Sequence, residues 1–559
     1  MENKAIAGHI KRLGQLMELY EGNSFKTKAY ERAAQVIAKH PQALQDMPES
    51  ERAQISGIGK STSTLLTELL SNGFIQSLKV LEDKTPADIL TMLNTKGIGP
   101  KKTAIIWHEL GIETLEALQI ACENNQLAQA KGFGAKTQAD ILNIIAFLKD
   151  NKGLFRYADL LTAAEPLMTA LKAVLPKDTK LELTGAIRRR LPLVRSIDFL
   201  IASSDTTLQG YLDKLPMLHK VQHNVEQQRF QALDHQNVPV HIYYTERMHF
   251  AERWIQTTGS VTHVQGLKAY TPLGLAQADD EAAIYQAAGL FYIPPELREG
   301  TDSLDQARDG QIPTLIHLED IKGCLHNHSL WSDGAFSVQE MAEYCRDILQ
   351  LEYFGISDHS RTAAYANGLS IERVQQQWKE IDQLNQQMAP FRIFKGIESD
   401  ILNNGDLDYP DEILSGFDFV VASIHAPLSM DESKATQRLI KAIENPYTTM
   451  LGHPTGRQLL VRRGYPINFK KVIDACAANQ VIIEINSNPL RLDLDWTWLS
   501  YCLSKGVQIS INPDAHHTRH LHYMRYGVDM ARKGGLQAEN CINCLNLEKI
   551  DSLLKQKKR

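Results

Sequence analysis

From Cys324 to His516 the chain repeats one pattern: a short apolar run, then at once a histidine, glutamate or aspartate, then a longer amphipathic stretch. The runs at 353–357, 392–397, 417–424, 449–451, 481–486 and 507–512 predict strands, and the stretches between them predict helices. Strands alternating with helices pair in parallel, and a parallel barrel brings the C-terminal ends of its strands to one mouth. The side chains that meet there would be His326, His328, Asp333, His359, Glu398, His425, His453, Asp514 and His516. His326 and His328 flank Asn327, and strand alternation turns both rings to one side. Nitrogen and oxygen donors without a thiolate suit zinc, manganese or iron in a reactive centre.

That barrel uses fewer than half of the 559 residues, and roughly 100–200 residues per domain leaves room for several more. Apolar residues at 43% and charged residues at 23% are ordinary for folded soluble domains and exclude extensive disorder. No apolar run is long enough to span a bilayer, and the N-terminus lacks a secretory layout, so a cytoplasmic protein without membrane contact is expected. Seven scattered cysteines make a poor disulfide framework, and Cys541 and Cys544 form a CxxC pair with no second pair to complete a zinc site.

A net charge of −6 argues against coating nucleic acid by bulk charge, and the first 150 residues hold 17 basic and 17 acidic side chains. Local geometry must supply any such binding. The N-terminal stretch reads as helices joined by three glycine turns: Gly57-Ile58-Gly59-Lys60, Gly97-Ile98-Gly99-Pro100-Lys101-Lys102 and Gly132-Phe133-Gly134-Ala135-Lys136. Such turns let backbone N–H groups approach a phosphate at the positive end of the following helix. Residues 151–245 read as a mixed α/β domain, with strands expected near 180–183, 197–202 and 238–244, followed by a helical domain over 246–300, a linker over 301–320 and the barrel over 321–559. The helical N-terminus divides into 1–80 and 81–150.

The ordered His/Asp/Glu set resembles the PHP (polymerase and histidinol phosphatase) family. That resemblance implies a distorted (βα)7 barrel and a trinuclear centre of Mn²⁺, Zn²⁺ or iron. One metal would be held by His326, His328, Glu398 and Asp514, which are the expected catalytic residues. Glu398 would bridge to a second metal at His425 and His453, and Asp333, His359 and His516 would hold a third. Phosphoester hydrolysis is the implied chemistry, with Arg457 placed to steady a phosphate oxygen. The glycine turns resemble helix-hairpin-helix motifs and imply DNA contact through Gly57, Gly59, Lys60, Gly97, Gly99, Lys101, Lys102, Gly132, Gly134 and Lys136. The whole order of domains resembles the bacterial family X DNA polymerases with a C-terminal PHP exonuclease. It implies a nucleotidyltransferase palm and thumb in the middle, and DNA with gaps or free 3′ ends as the partner of a monomer.

The middle departs from that family. Two-metal nucleotidyl transfer needs carboxylates to hold a pair of Mg²⁺ roughly 3.5–4 Å apart. Where the family supplies three aspartates, this chain has Ser196, Asp198 and His241. The family's Gly-Ser is Gly185-Ala186, its aromatic pair is Gln256-Thr257, and its His-Asn is His263-Val264; Arg188 and Arg189 remain. The expected function is a metal-dependent 3′-5′ exonuclease or phosphodiesterase that binds DNA, serves repair and has lost polymerisation. The alternatives are a gap-filling polymerase that recruits Asp234 or Glu226, and a DNA-end-binding scaffold.

Overall fold

The computed structural model describes all residues except 2, 22, 23, 41, 96, 204, 272–277, 279, 558 and 559. Two units divide the chain, Met1–Lys152 and Gly153–Arg559. Among the described residues no helix is long and apolar enough to cross a membrane.

The first unit is helical throughout. In its opening helix, Asn3–Glu21, the apolar residues Ile6, Ile10, Leu13 and Leu16 recur at helical spacing and are buried, while Tyr20 stays exposed. They share one core with Leu66, Leu69, Ile89, Ile106, Leu118 and Ile145, so the halves 1–80 and 81–150 are packed around common apolar side chains. The three glycine turns each enter a helix: Lys60–Asn72, Gly99–Ala104 and Ala135–Asp150.

The second unit begins with a five-stranded sheet ordered Leu181–Leu183, Ile197–Ala202, Pro239–Thr245, Arg229–Asp234, Leu218–Asn224. Ile197–Ala202 and Pro239–Thr245 run parallel, with Asp198 opposite His241. The hairpin of the last two strands was not expected: Arg229–Asp234 alternates in burial, but in Leu218–Asn224 polar residues outnumber apolar ones and the register shifts between His219 and Gln222. A helical cluster follows, built on Ile255, Leu267, Ile284, Leu304 and Ala307. The linker is shorter than 301–320: Asp302–Arg308 is a helix, and its Leu304 and Ala307 belong to that cluster.

Seven parallel strands then form the barrel in sequence order: Gly323–Cys324, Tyr353–Ile356, Arg392–Asp400, Phe419–Ser423, Met450–Leu451, Ile482–Asn486 and Ile509–Asn512. A parallel bridge between Asn327 and Ala515 nearly closes it. Its strands are apolar on both faces because helices cover the outside and side chains fill the inside. At one end the interior is packed with Tyr353, Phe394, Phe419, Met450 and Ile482, which meet Ile550 and Leu554 of the C-terminal helix Leu547–Lys557. The basic run that begins at Lys555 starts inside this helix. Further along the strands the same inward face turns polar: Glu484 follows Ile482 by two residues, and Glu398 follows Phe394 by four, with Gly396 between them. The chemistry sits at that second end.

Helix Met524–Lys533 joins the barrel to the sheet domain. Its Asp529 accepts from Tyr157 Oη (3.0 Å) and Arg190, and its buried Lys533 reaches the carbonyls of Arg189 and Glu296 and the carboxylate of Glu299.

Candidate metal centre and nucleic-acid interface

All nine expected side chains come together at the polar end of the barrel. Glu398, 1% exposed, is the hub: Oε1 lies 2.9 Å from His453 Nε2, 3.1 Å from His425 Nε2 and 3.4 Å from His326 Nε2. Its Oε2 lies 2.9 Å from His359 Nδ1 and 3.6 Å from His328 Nε2. Asp514 Oδ1 is 3.1 Å from His328 Nε2, and Asp333 Oδ1 is 3.3 Å from His516 Nε2 and 3.6 Å from His359 Nε2. Three subsets gather donor atoms closely enough to hold an ion: His328, Asp333, His359 and His516; His326, His328 and Asp514; His359, Glu398 and His425.

The residues fit metal ions on a further ground. His326 Nε2, both ring nitrogens of His328, His359 Nδ1, His453 Nδ1 and Glu398 Oε2 are buried without a hydrogen-bond partner. Buried polar atoms are costly unless satisfied, and a cation shared among them would satisfy several at once. Burial disfavours an imidazolium at His425, but Glu398 and Asp400 outweigh it and push the ring up to about 10. Against the same penalty, Asp333 and Asp514 push His516 up to about 9. Loading cations must displace such protons.

Sequence reasoning missed the residues that aim these ligands. Glu484 is wholly buried and accepts from His326 Nδ1 (2.7 Å), the His453 backbone N–H (2.7 Å) and Asn512 Nδ2 (3.1 Å), which leaves His326 Nε2 facing the hub. Asp400 does the same for His425 through its Nδ1. Asp358 accepts from the backbone and hydroxyls of Ser329 and Ser332 and so fixes the loop that carries Asp333. Glu484 was detectable as a lone carboxylate inside an isoleucine run. Replacing Glu484 by Gln puts an N–H donor against the His453 N–H or the His326 ring, and metal affinity should fall roughly 10–100-fold in a chelator competition.

Arg457 is not aimed at the centre. Its guanidinium donates to the carbonyls of Arg491 (2.9 Å) and Leu492 and to Asp495, so it is consumed in bracing the loop after strand Ile482–Asn486.

In the sheet domain, Asp198 stands between a hydroxyl and an imidazole. Its Oδ1 accepts from Ser196 Oγ (2.7 Å) and lies 2.9 Å from His241 Nδ1. Asp234 is committed to the turn at its strand end, accepting from the backbone of Gln236 and Val238, and Glu226 is exposed at a hairpin tip. The arginines are not open to a ligand: Arg188 forks onto Glu281 (2.8 and 2.7 Å) over the ring of Trp254, and Arg189 binds Glu299 (2.8 Å) and the Thr258 carbonyl. Glu281 also takes the buried Arg298, and although burial opposes it, the two guanidiniums hold its carboxyl down to about 2. Gly185 lies so close to Asp198 that a Cβ would come within 2.0 Å of Oδ2, so Ala186 is the nearest position for a side chain.

The glycine turns divide their labour. Gly57, Gly97 and Gly132 have φ of +95°, +104° and +88°, a left-handed backbone that suits glycine. Gly59 and Gly134 have ordinary φ but face open space, which leaves helix N-termini accessible to a phosphate. Lys60, Lys101 and Lys136 are exposed, whereas Lys102 folds back onto the Gly97 carbonyl (2.8 Å); Lys96 lies outside the described residues.

Residues 1–74 match the family model "Helix-hairpin-helix domain", and 88–149 match "SAM-like Helix-hairpin-helix tandem". The chain is 32% identical to the DNA polymerase/3′-5′ exonuclease PolX of Bacillus subtilis, over 100% of both chains. It is 28% identical to a "Probable phosphatase" of Acetivibrio thermocellus over 42% of this chain and 95% of that one. A further "Probable phosphatase", from Thermoanaerobacter sp., is also 28% identical, over 42% of this chain and 94% of its own length. With helical hairpins in front, a palm-like sheet in the middle and a seven-stranded barrel of the PHP type behind, the chain belongs to the bacterial family X DNA polymerases that carry a C-terminal PHP domain.

Proposed function

We propose that this protein is a metal-dependent phosphodiesterase that removes nucleotides from the 3′ ends of DNA, and that its polymerase-type site adds none. The observation that carries this reading is the gathering of nine nitrogen and oxygen side chains at one barrel mouth, five histidine rings of them facing Glu398, with buried ring nitrogens left unpartnered. In this reading His326, His328, Glu398 and Asp514 hold one cation, His425 and His453 share Glu398 for a second, and Asp333, His359 and His516 hold a third. Zinc, manganese and iron all match the donor set. When bound, clustered cations supply Lewis acidity to a phosphodiester and lower the pKa of an attacking water. Glu484 and Asp400 fix the tautomers of His326 and His425. Tyr365, 67% exposed with its ring 6.1 Å from that of His359, offers a stacking face to an unpaired base.

DNA is held through its backbone by the hairpin turns. Asp is a good helix N-cap but repels phosphate, so Gly59→Asp with Gly134→Asp separates folding from binding. The double variant should keep its melting temperature and lose about tenfold or more in DNA affinity, with a shallower salt dependence. Wild-type affinity that ignores salt would refute phosphate contact. The function itself is tested by incubating the protein with gapped, 3′-tailed and blunt end-labelled DNA in Mn²⁺, with and without dNTPs. Shortening of the 3′ strand in both conditions is expected; growth of the primer with dNTPs refutes the reading.

A further inference from the structure

The CxxC pair near the C-terminus, Cys541 and Cys544, lies where the barrel is least closed. Among the described residues the first and last strands, Gly323–Cys324 and Ile509–Asn512, share no ladder with each other. The segment 541–544 fills that seam instead. Cys541 makes a parallel bridge with Ile509, and the buried side chain of Asn543 clamps both edges. Its Nδ2 donates to the carbonyls of Gly323 (2.9 Å) on one side and Ile511 (2.9 Å) on the other, and its Oδ1 accepts from the Ile511 N–H (2.7 Å) and Ser510 Oγ (3.1 Å). The Asn543 carbonyl accepts from the Lys322 N–H (2.7 Å).

The same seam divides the metal ligands: His326 and His328 follow the first strand, and Asp514 and His516 follow the last. A chain of hydrogen bonds runs from the thiol to them. Cys541 Sγ donates to Asn543 Oδ1 (3.7 Å), Asn543 Nδ2 to Asn512 Oδ1 (3.4 Å), and Asn512 Nδ2 to Glu484 Oε1 (3.1 Å), the oxygen that holds His326 Nδ1 (2.7 Å). The two thiols are also set for each other. Cys544 N–H donates to the Cys541 carbonyl (3.1 Å), closing a turn that keeps the two Cα atoms within about 7 Å, where a disulfide spans roughly 4.4–6.8 Å. Cys544 is half-buried and the other six cysteines are buried, so it is the thiol that a small oxidant reaches. Burial and the adjacent Cys544 push the Cys541 thiol up, which leaves Cys544 to attack first.

We propose that Cys541 and Cys544 form a thiol–disulfide switch that sets the metal affinity of the barrel mouth. The Cys544 thiolate attacks one sulfur of a small-molecule disulfide and expels the other half as a thiolate. Cys541 then attacks the Cys544 sulfur and expels the second half. Two protein thiols become one disulfide, the small disulfide becomes two thiols, and the two protons pass to them. The new bond removes the S–H donor from Asn543 Oδ1 and tightens the turn that carries Asn543. The clamp loosens, and Glu484 no longer aims His326 squarely. Any effect on hydrolysis rests on the reading above; the thiol chemistry does not.

The test uses the full chain as wild type, Cys544→Ser and Cys541→Ser, equilibrated with reduced and oxidised glutathione in varied ratio. Alkylation with peptide mass spectrometry reads the thiols, chelator competition reads Mn²⁺ affinity, and hydrogen exchange reads the Lys322 and Ile511 amides. In oxidised wild type the peptide holding Cys541 and Cys544 should be lighter by two hydrogens, with the other five cysteines still reduced. Mn²⁺ affinity should fall about tenfold or more and return with dithiothreitol, and both amides should exchange faster. Cys544→Ser should not react, Cys541→Ser should stop at the glutathione adduct, and both should keep the Mn²⁺ affinity of reduced wild type. A wild-type Cys544 that stays free or stops at the adduct overturns the proposal, and so does a disulfide that leaves affinity and exchange unchanged. Loss of affinity in oxidised Cys544→Ser overturns it too, because another thiol would then be responsible. If reduced, metal-loaded wild type hydrolyses no DNA, the hydrolytic reading fails, and the Mn²⁺ affinities still decide on the switch.

Discussion

Glu398→Ala should abolish phosphodiester hydrolysis, with a loss of at least about a thousandfold, or ~4 kcal/mol of transition-state stabilisation. The reason is geometric. One carboxylate faces the ring nitrogens of His326, His328, His359, His425 and His453 at 2.9–3.6 Å, so its two oxygens are common to most of the cluster. Cations brought close by these rings need shared negative charge between them, and Asp514 and Asp333 at the margins cannot supply it. Elemental analysis should find the variant short of metal. Fluorescence anisotropy should find its DNA affinity within about twofold of wild type, because backbone contacts of the hairpin kind do not involve the barrel. Substantial hydrolysis by the variant at full metal content would show that Glu398 is not the bridge.

The barrel and its polar mouth were legible in the sequence because two periodicities coincide there. Continuous apolar runs mark strands buried on both faces, and each run stops at a residue that could ligate, so order along the chain already gave convergence in space. What could not be read was which polar side chain serves which. Arg457 follows His453 closely, and sequence distance suggested a phosphate ligand; the backbone instead turns its guanidinium onto the 491–495 loop, and Arg491, far along the chain, reaches Asp514. Glu484 looked like any residue of an isoleucine-rich strand until inward alternation placed it beneath His326. In the sheet domain, the missing carboxylates at 196 and 241 were visible as letters. That Arg188 and Arg189 are tied to Glu281 and Glu299 was not, since those partners lie 93 and 110 residues away.

Nucleotide addition should be undetectable, slower than ~10⁻³ s⁻¹ where enzymes typically turn over at 1–10³ s⁻¹. Two Mg²⁺ ions at the polymerase-type site would find Asp198 as the only carboxylate of the expected three, and its Oδ1 is already shared by Ser196 and His241. Incoming phosphates would have to offset the repulsion of the ions almost alone. The triphosphate would also lack its clamp, because freeing Arg188 means breaking a fork onto the buried Glu281 and leaving that carboxylate to Arg298. Breaking such a buried pair costs on the order of 3–5 kcal/mol. The assay must keep degradation from hiding synthesis, so it should use His326→Ala with His328→Ala, which removes two ring ligands while leaving the sheet domain untouched. Primer extension by that double variant, lost again on Asp198→Ala, would establish a working polymerase and refute this reading. Adding Ser196→Asp and His241→Asp should improve metal binding without restoring efficient extension. Ala186 offers no hydroxyl to the triphosphate, Gln256 and Thr257 offer no aromatic face to the sugar, and Arg188 stays bound to Glu281.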